Sequence, residues 1–211
     1  LSSEQQGDCA FGSDRYGLHV GITALAGLAF MSHGDLPRRG NYGKYVEKAL
    51  AFILDNVQPN GLIAADTSHG PMYGHGFAAL FLAEIYGQTH DDRTREALVK
   101  AIRLIIRSQN EEGGWRYQPV PNEADLSVTI CQVMALRAAR NAGIKVPKEV
   151  IDKAVNYVRR CQNPDGGFRY MLNSGSSAFP RSAAGVATLY YAGIYTDQAI
   201  DRALAYTMDH V

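Results

Sequence analysis

The chain has 211 residues, 46% of them hydrophobic, which is material for one sizeable core and makes a single domain the default. Its 21 Lys and Arg are matched by 21 Asp and Glu and are dispersed among them, so there is no electrostatic footprint for nucleic acid or an anionic membrane. Three cysteines, Cys9, Cys131 and Cys161, are too few and too scattered for a disulfide framework or a zinc-ligand spacing, and buried or incidental thiols are expected.

In chain order, the sequence begins at Leu1 and not at methionine, so we expect a removed segment or a piece of a longer chain, and the compartment stays open. Gln5 heads QQGDCAF, a first turn. GLHVGITALAGLAFM follows, crowded with small and apolar residues; its longest apolar run, 21–31, is about half of what a bilayer requires, so a buried helix stopping near Gly34 is expected and no transmembrane segment. YGKYVEKALAFILDNV carries one apolar stripe and a charged face, the pattern of an outer helix. Gln58 heads a second turn, QPNGLIA. A long connection leads to YGHGFAALFLAEIYG, small and apolar again and ending near Gly87, and then to RTREALVKAIRLIIRSQ with Asp91 as its N-cap. QNEEGGWRY at 109–117 is the third turn, followed by DLSVTICQVMALRAARNAG, ending at Gly143, and by PKEVIDKAVNYVRRCQ with Pro147 in its first turn. QNPDGGFRY at 162–170 repeats six of the nine letters of the third turn at an interval of 53 residues, and SAAGVATLYYAG runs to Gly193.

A repeat of that length marks a stacked supersecondary unit. Turns near 5, 58, 109 and 162, each followed by a small-residue helix and, between successive turns, by an amphipathic one, predict an all-α chain of helix hairpins over residues 1–211. The small-residue helices should stand side by side as an inner row, with the amphipathic helices covering them. The long connections all run from an outer to an inner helix, so they should gather on one rim, where the inner helices begin and present unpaired N–H groups.

QNEEGGW and QNPDGGF, each closing an outer helix ahead of a small-residue inner one, resemble the QW repeats of squalene and oxidosqualene cyclases and the related protein prenyltransferase beta subunits. The pattern is similar to that of bacterial prenyltransferase/squalene oxidase repeat proteins across nearly the whole chain. The resemblance implies an α/α toroid, here of four hairpins and so a partial or open ring, with Gln109, Gln162 and the repeat glycines as scaffold. It implies an isoprenoid-handling protein that cyclises or binds a polyprenyl or triterpene substrate in a central apolar cavity. An apolar isoprenoid or a prenyl diphosphate is the ligand so implied, and the open ends of the ring suit a homo-oligomer.

The acid motif of class II terpene cyclases is matched in part by EADLSVT. Glu123 corresponds to its first carboxylate and Asp125 to the proton donor, while Leu126 replaces the last one; Asp125 or Ser127 is equally readable as a helix cap, which would lower a carboxyl pKa. The zinc-binding Asp and Cys of the prenyltransferases, two residues apart, become Asp125 and Ser127, so no metal and no cofactor is expected. SHGPMYGHGFAAL looks like the prenyltransferase segment whose histidine contacts the prenyl diphosphate. His69 is the matching residue, with Tyr73 and His75 beside it; Arg116, Arg169 and Arg181 on the same rim suit a diphosphate or carboxylate, and Tyr117 and Tyr170 add aromatic surface for a carbocation. For each of these histidines a capping or exposed role competes, and for the repeated Arg-Tyr pair, pairing between loops. The competing function is a non-catalytic toroid that binds a ligand or a protein. A carbohydrate-active toroid, such as a polysaccharide lyase, ranks behind both because Trp115, the one tryptophan, is assigned to the scaffold.

Overall fold

The computed structural model describes residues 18–68 and 70–210, together with the backbone of short strand segments before them. Among the described residues eight helices carry the fold: α1 (Val20–Ser32), α2 (Gly43–Asp55), α3 (Met72–Thr89), α4 (Asp92–Arg107), α5 (Leu126–Asn141), α6 (Lys148–Arg160), α7 (Phe179–Tyr191) and α8 (Gln198–Asp209). Ahead of them, β1 (Gln5–Gln6), β2 (Ala10–Ser13) and β3 (Gly17–Leu18) form an antiparallel sheet in the order β1-β2-β3. The pairing of Gln5 with Phe11 in that sheet has counterparts in the bridges Val57–Ile63 and Gln162–Phe168, so three of the turns close by the same short ladder.

The odd-numbered helices form the inner row. α1 packs on α3, α3 on α5 and α5 on α7, while α2, α4 and α8 lie against α1, α3 and α7 from outside. The first and last inner helices do not pack side by side, so the row is an open arc. Small residues permit the close approaches within it. A Cβ on Gly21 would sit 3.0 Å from the Gly74 Cα, tighter than most packed side chains come, and one on Gly76 would sit 2.9 Å from the Cys131 Cβ, so that something would have to shift. Phe81, fully buried on α3, fills the space left by Gly27 on α1.

The repeated turns are locked to the next outer helix. Gly61, Gly113 and Gly166 have φ of 91°, 101° and 89°, and a Cβ on any of them would enter the shell of a carbonyl oxygen on the following outer helix: Lys100, Lys153 and Arg202 respectively. The glutamines do the rest. Gln109 Nε2 donates to the Gly113 carbonyl and, across to α6, to the Val150 carbonyl, both at 2.9 Å. Gln162 Nε2 donates likewise to Gly166 and to Ala199 on α8, both at 2.8 Å.

Two local expectations are corrected. α3 does not stop at Gly87 but continues to Thr89, and His90 takes the left-handed C-terminal conformation at φ 55°, whereas Gly34, Gly143 and Gly193 do hold positive φ at their helix ends. Pro147 stands just outside α6, as its N-cap residue in extended conformation, one position earlier than its place in the first turn. Asp91 caps α4 as expected, accepting from the Thr94 N–H at 2.8 Å.

Candidate functional site

The heads of the inner helices meet on one rim, stitched by the loops between repeats. The Tyr117 carbonyl accepts from the Met72 N–H at the start of α3 at 3.2 Å, and the Tyr170 carbonyl accepts from the Leu126 N–H at the start of α5 at 2.9 Å. Each loop thus satisfies a helix-end donor on the preceding hairpin, one of the groups a helix leaves unpaired. That stitching carries two tyrosine side chains to the head of α5.

Asp125 stands there with no solvent exposure. Its Oδ1 accepts from the Val128 N–H at 2.9 Å, and its own N–H donates to the Trp115 carbonyl. Its Oδ2 is buried and has no hydrogen-bond partner. Burial pushes the carboxyl above its ordinary pKa and outweighs the opposing effects of the Val128 N–H, the Tyr170 hydroxyl and Arg116. Tyr170 is therefore close enough to influence the acid without completing a hydrogen bond to Oδ2. The Tyr117 and Tyr170 hydroxyls bond to one another, and the Tyr73 ring lies 6.0 Å from that of Tyr117. Burial and the nearby Asp125 push the Tyr73 phenol up to about 12. Three of the expected residues, Tyr73, Tyr117 and Tyr170, are thus gathered around Asp125.

The others are not gathered there. Glu123 is exposed and paired with Arg116 Nη1, so it does not share the buried position of Asp125. Arg116 also lies over the Tyr117 ring, 5.3 Å from its centroid. Arg169 donates to the Arg160 carbonyl at the end of α6 at 2.8 Å, and Arg181 donates to the Ser176 carbonyl at 2.9 Å. Each guanidinium thus makes one hydrogen bond or ion pair close to home, while the Nε of all three is buried without a hydrogen-bond partner. The expectation for His75 is corrected: it is wholly buried, and its Nδ1 accepts from the Ile63 N–H at 3.1 Å instead of facing the mouth. Thr129 and Ser182 do the same work for the Trp115 and Phe168 N–H groups, at 3.1 and 2.9 Å. His69 lies outside the described residues, as does Cys9. Cys131 and Cys161 are buried, and burial pushes their thiols up to about 12 and about 11, far from a reactive thiolate.

Two hollows border the inner row. A pocket of about 410 Å³ on the rim is lined by Leu18, His19, Val20, Asp66, Pro71 and Tyr73, among others, so Tyr73 belongs both to this pocket and to the group around Asp125. His19, which the sequence reading did not single out, caps α1 by accepting from the Gly21 N–H at 3.0 Å, and burial lowers its pKa. A larger cavity of about 1000 Å³ opens at the opposite end, where the C-terminal halves of α1, α3, α5 and α7 line it. The expected single mouth at the helix heads is therefore replaced by a small rim pocket and a larger distal cavity. No group of three or more His, Cys, Asp or Glu side chains among the described residues could hold a metal ion.

The prenyltransferase alpha-alpha toroid domain family matches residues 16–209, nearly the whole chain. The chain belongs to that family. In sequence, this toroid domain is 27% identical over 151 residues to the drimenyl diphosphate synthase of Streptomyces showdoensis, a match that takes in 71% of this chain and 26% of that protein. In structure, it is similar to a variant of the type II terpene cyclase MstE from Scytonema, with a TM-score of 0.64 at 16% identity over 98% of this chain and 56% of that one. Another MstE variant, solved with geranylgeranyl dihydroxybenzoate described as its substrate, gives 0.59 at 17% identity. A polysaccharide lyase gives 0.61 at 14% identity over 90% of this chain and 59% of that one. The toroid domain therefore spans little more than half of these solved chains and about a quarter of the curated relative.

Proposed function

We propose that this toroid domain handles an isoprenoid at the rim of the inner helices, with the buried carboxyl of Asp125 as proton donor. The observation that carries the proposal is the Asp125 Oδ2: fully buried, unpartnered, and part of a carboxyl whose pKa is raised by burial although Oδ1 caps a helix. A carboxyl so placed holds its proton longer than an exposed one, which is what protonation of an alkene demands. In that step the acid O–H bond breaks as a C–H bond forms on the alkene, leaving a carboxylate and a carbocation that later loss of a proton would quench. The Tyr73, Tyr117 and Tyr170 rings supply aromatic faces for the cation, and the rim pocket beside Tyr73 is of a size that holds part of a prenyl chain. The resemblance to drimenyl diphosphate synthase and to MstE supports isoprenoid chemistry as the class.

The test is incubation of the protein with squalene, farnesyl diphosphate and geranylgeranyl diphosphate, followed by lipid analysis and binding measurements. A cyclised product that falls by about 100-fold or more in Asp125→Asn is expected. Neither product nor binding with any of the three would end the proposal.

A second reading, a non-catalytic toroid, is favoured by the partner of Glu123. That carboxylate is engaged with Arg116 on the surface, and Leu126 is buried where a further acid would stand, so Asp125 has no carboxylate neighbour at hand. Binding without turnover, unaffected by Asp125→Asn, is its signature. At the level of assembly we propose that a second copy covers the ends of the arc, where Leu25 and Ala29 on α1 and Phe179 and Ala183 on α7 are exposed.

A further inference from the structure

The cavity at the far end of the inner helices has a composition that the rim chemistry does not use. Along the arc its walls carry Leu28 and Met31 from α1, Leu80 from α3, Met134 and Ala138 from α5, and Ala187 from α7, with the polar Gln88 and Asn141 toward the helix ends. Its edge between α5 and α7 is of another kind. Arg137 projects there from the last two turns of α5, half-buried, and makes no hydrogen bond or ion pair among the described residues. Its Nη1 lies 3.5 Å from where a Cβ on Gly193 would stand, so the guanidinium runs close beneath the turn that ends α7. Tyr190, Tyr191 and Tyr195 line the same edge, the rings of Tyr190 and Tyr195 lying 5.8 Å apart, and their hydroxyls have no hydrogen-bond partner among the described residues.

A guanidinium taken partly out of water gains most from an oxyanion that accepts two of its N–H groups at once. Here nothing among the described residues fills that role, and phenol O–H donors stand along the same edge. Opposing effects exist. Glu84 lines the cavity, and the four inner helices end around it, with a field that disfavours an anion. Glu84 forms no ion pair with Arg137 or with Arg39, the second arginine of the lining, so both cations keep their charge free. The anion seat is thereby confined to the α5–α7 edge and does not extend along the axis of the arc.

We propose that this cavity is a second binding site, for an amphiphile whose apolar body lies on the inner helices and whose carboxylate or phosphate head is held by Arg137 with the tyrosine hydroxyls beside it. The site is separate from the rim: twelve positions along α5 part Asp125 from Arg137, about 18 Å of helix. It therefore stands or falls without the proton-donor reading. Fatty carboxylates and phosphorylated isoprenoids share the required chemistry.

The test is calorimetric titration of the whole chain with two matched pairs, oleate against oleyl alcohol and farnesyl monophosphate against farnesol. At least one oxyanion-bearing member should bind about tenfold or more tightly than its alcohol. Arg137→Gln should remove that preference while leaving the alcohol's affinity in place, Arg137→Lys should retain part of it, and Asp125→Asn should leave it unchanged. Which pair shows the preference identifies the source of the head group; a preference in both supports the shared chemistry. Equal affinities within both pairs, no binding in either, or a preference that survives Arg137→Gln would overturn the proposal. Should Arg137→Gln fail to fold, the wild-type protein decides by salt: raising NaCl from ~50 to ~500 mM should weaken the acid and spare the alcohol, and equal responses would overturn it.

Discussion

His75 sits where the sequence invites a ligand-binding role, between two glycines at the head of an inner helix, yet it serves as the acceptor for the Ile63 N–H. Burial lowers its pKa to about 4, so it is neutral in the folded protein. The unfolded chain takes up that proton near pH 6.5, and the folded chain refuses it until about 4. Stability is thus complete above pH 6.5 and declines as the pH falls toward 4, by up to about 3 kcal/mol from this group. In His75→Gln, urea denaturation should show a flatter pH dependence across that window; an unchanged slope would assign it to other groups. The sequence did hold a clue, since Thr129 and Ser182 occupy the matching places in later repeats. A residue type that varies at a repeat position while keeping a hydrogen-bonding side chain points to a backbone task. Asp125 was legible as both acid and cap because its letter and position state both; that burial prevails over capping in setting its pKa was not, because the depth of burial is set by tertiary packing that no local pattern states.

At the scale of the element, the repeat is a device for joining one hairpin to the next. The prediction concerns glycines that share a backbone conformation and differ in surroundings. Gly113 and Gly143 have φ of 101° and 85°, but a Cβ on Gly113 would strike the Lys153 carbonyl, whereas one on Gly143 would meet nothing within 4 Å. Gly143→Ala should cost about 1 kcal/mol, the strain of positive φ alone. Gly113→Ala should cost about 2–4 kcal/mol because α6 must also retreat. Thermal or urea denaturation of the two variants separates the effects, and equal losses would show that the turn does not grip the next helix. These elements were legible because the apolar period and the turn letters agree. The end of α3 was not, because His90 can hold the left-handed conformation that Gly87 was expected to take, and a glycine inside a helix leaves no sign of whether the helix stops there.

At the scale of the molecule, the helical pairs and their common rim follow from the chain's alternation of long and short connections. The position of the cavity at the far end of the inner helices does not. It depends on how far the inner helices splay at each end, which is set by contacts such as Phe81 against Gly27 that no local pattern specifies. The openness of the arc has a measurable outcome. Sedimentation at rising concentration should show reversible self-association, and Leu25→Lys should suppress it without lowering the melting temperature by more than about 2 °C, as expected for an exposed position. A protein that stays monomeric at all concentrations would leave the arc ends without the proposed cover.

The glutamine bonds point one way along the chain: Gln109 reaches forward to Val150, and Gln162 forward to Ala199. The turns at Gln109 and Gln162 are therefore left half-finished until the following outer helix has docked. Loss of a few residues at the far terminus would accordingly be felt one unit upstream, as fraying of the turn at Gln162 and not merely as a shortened last helix.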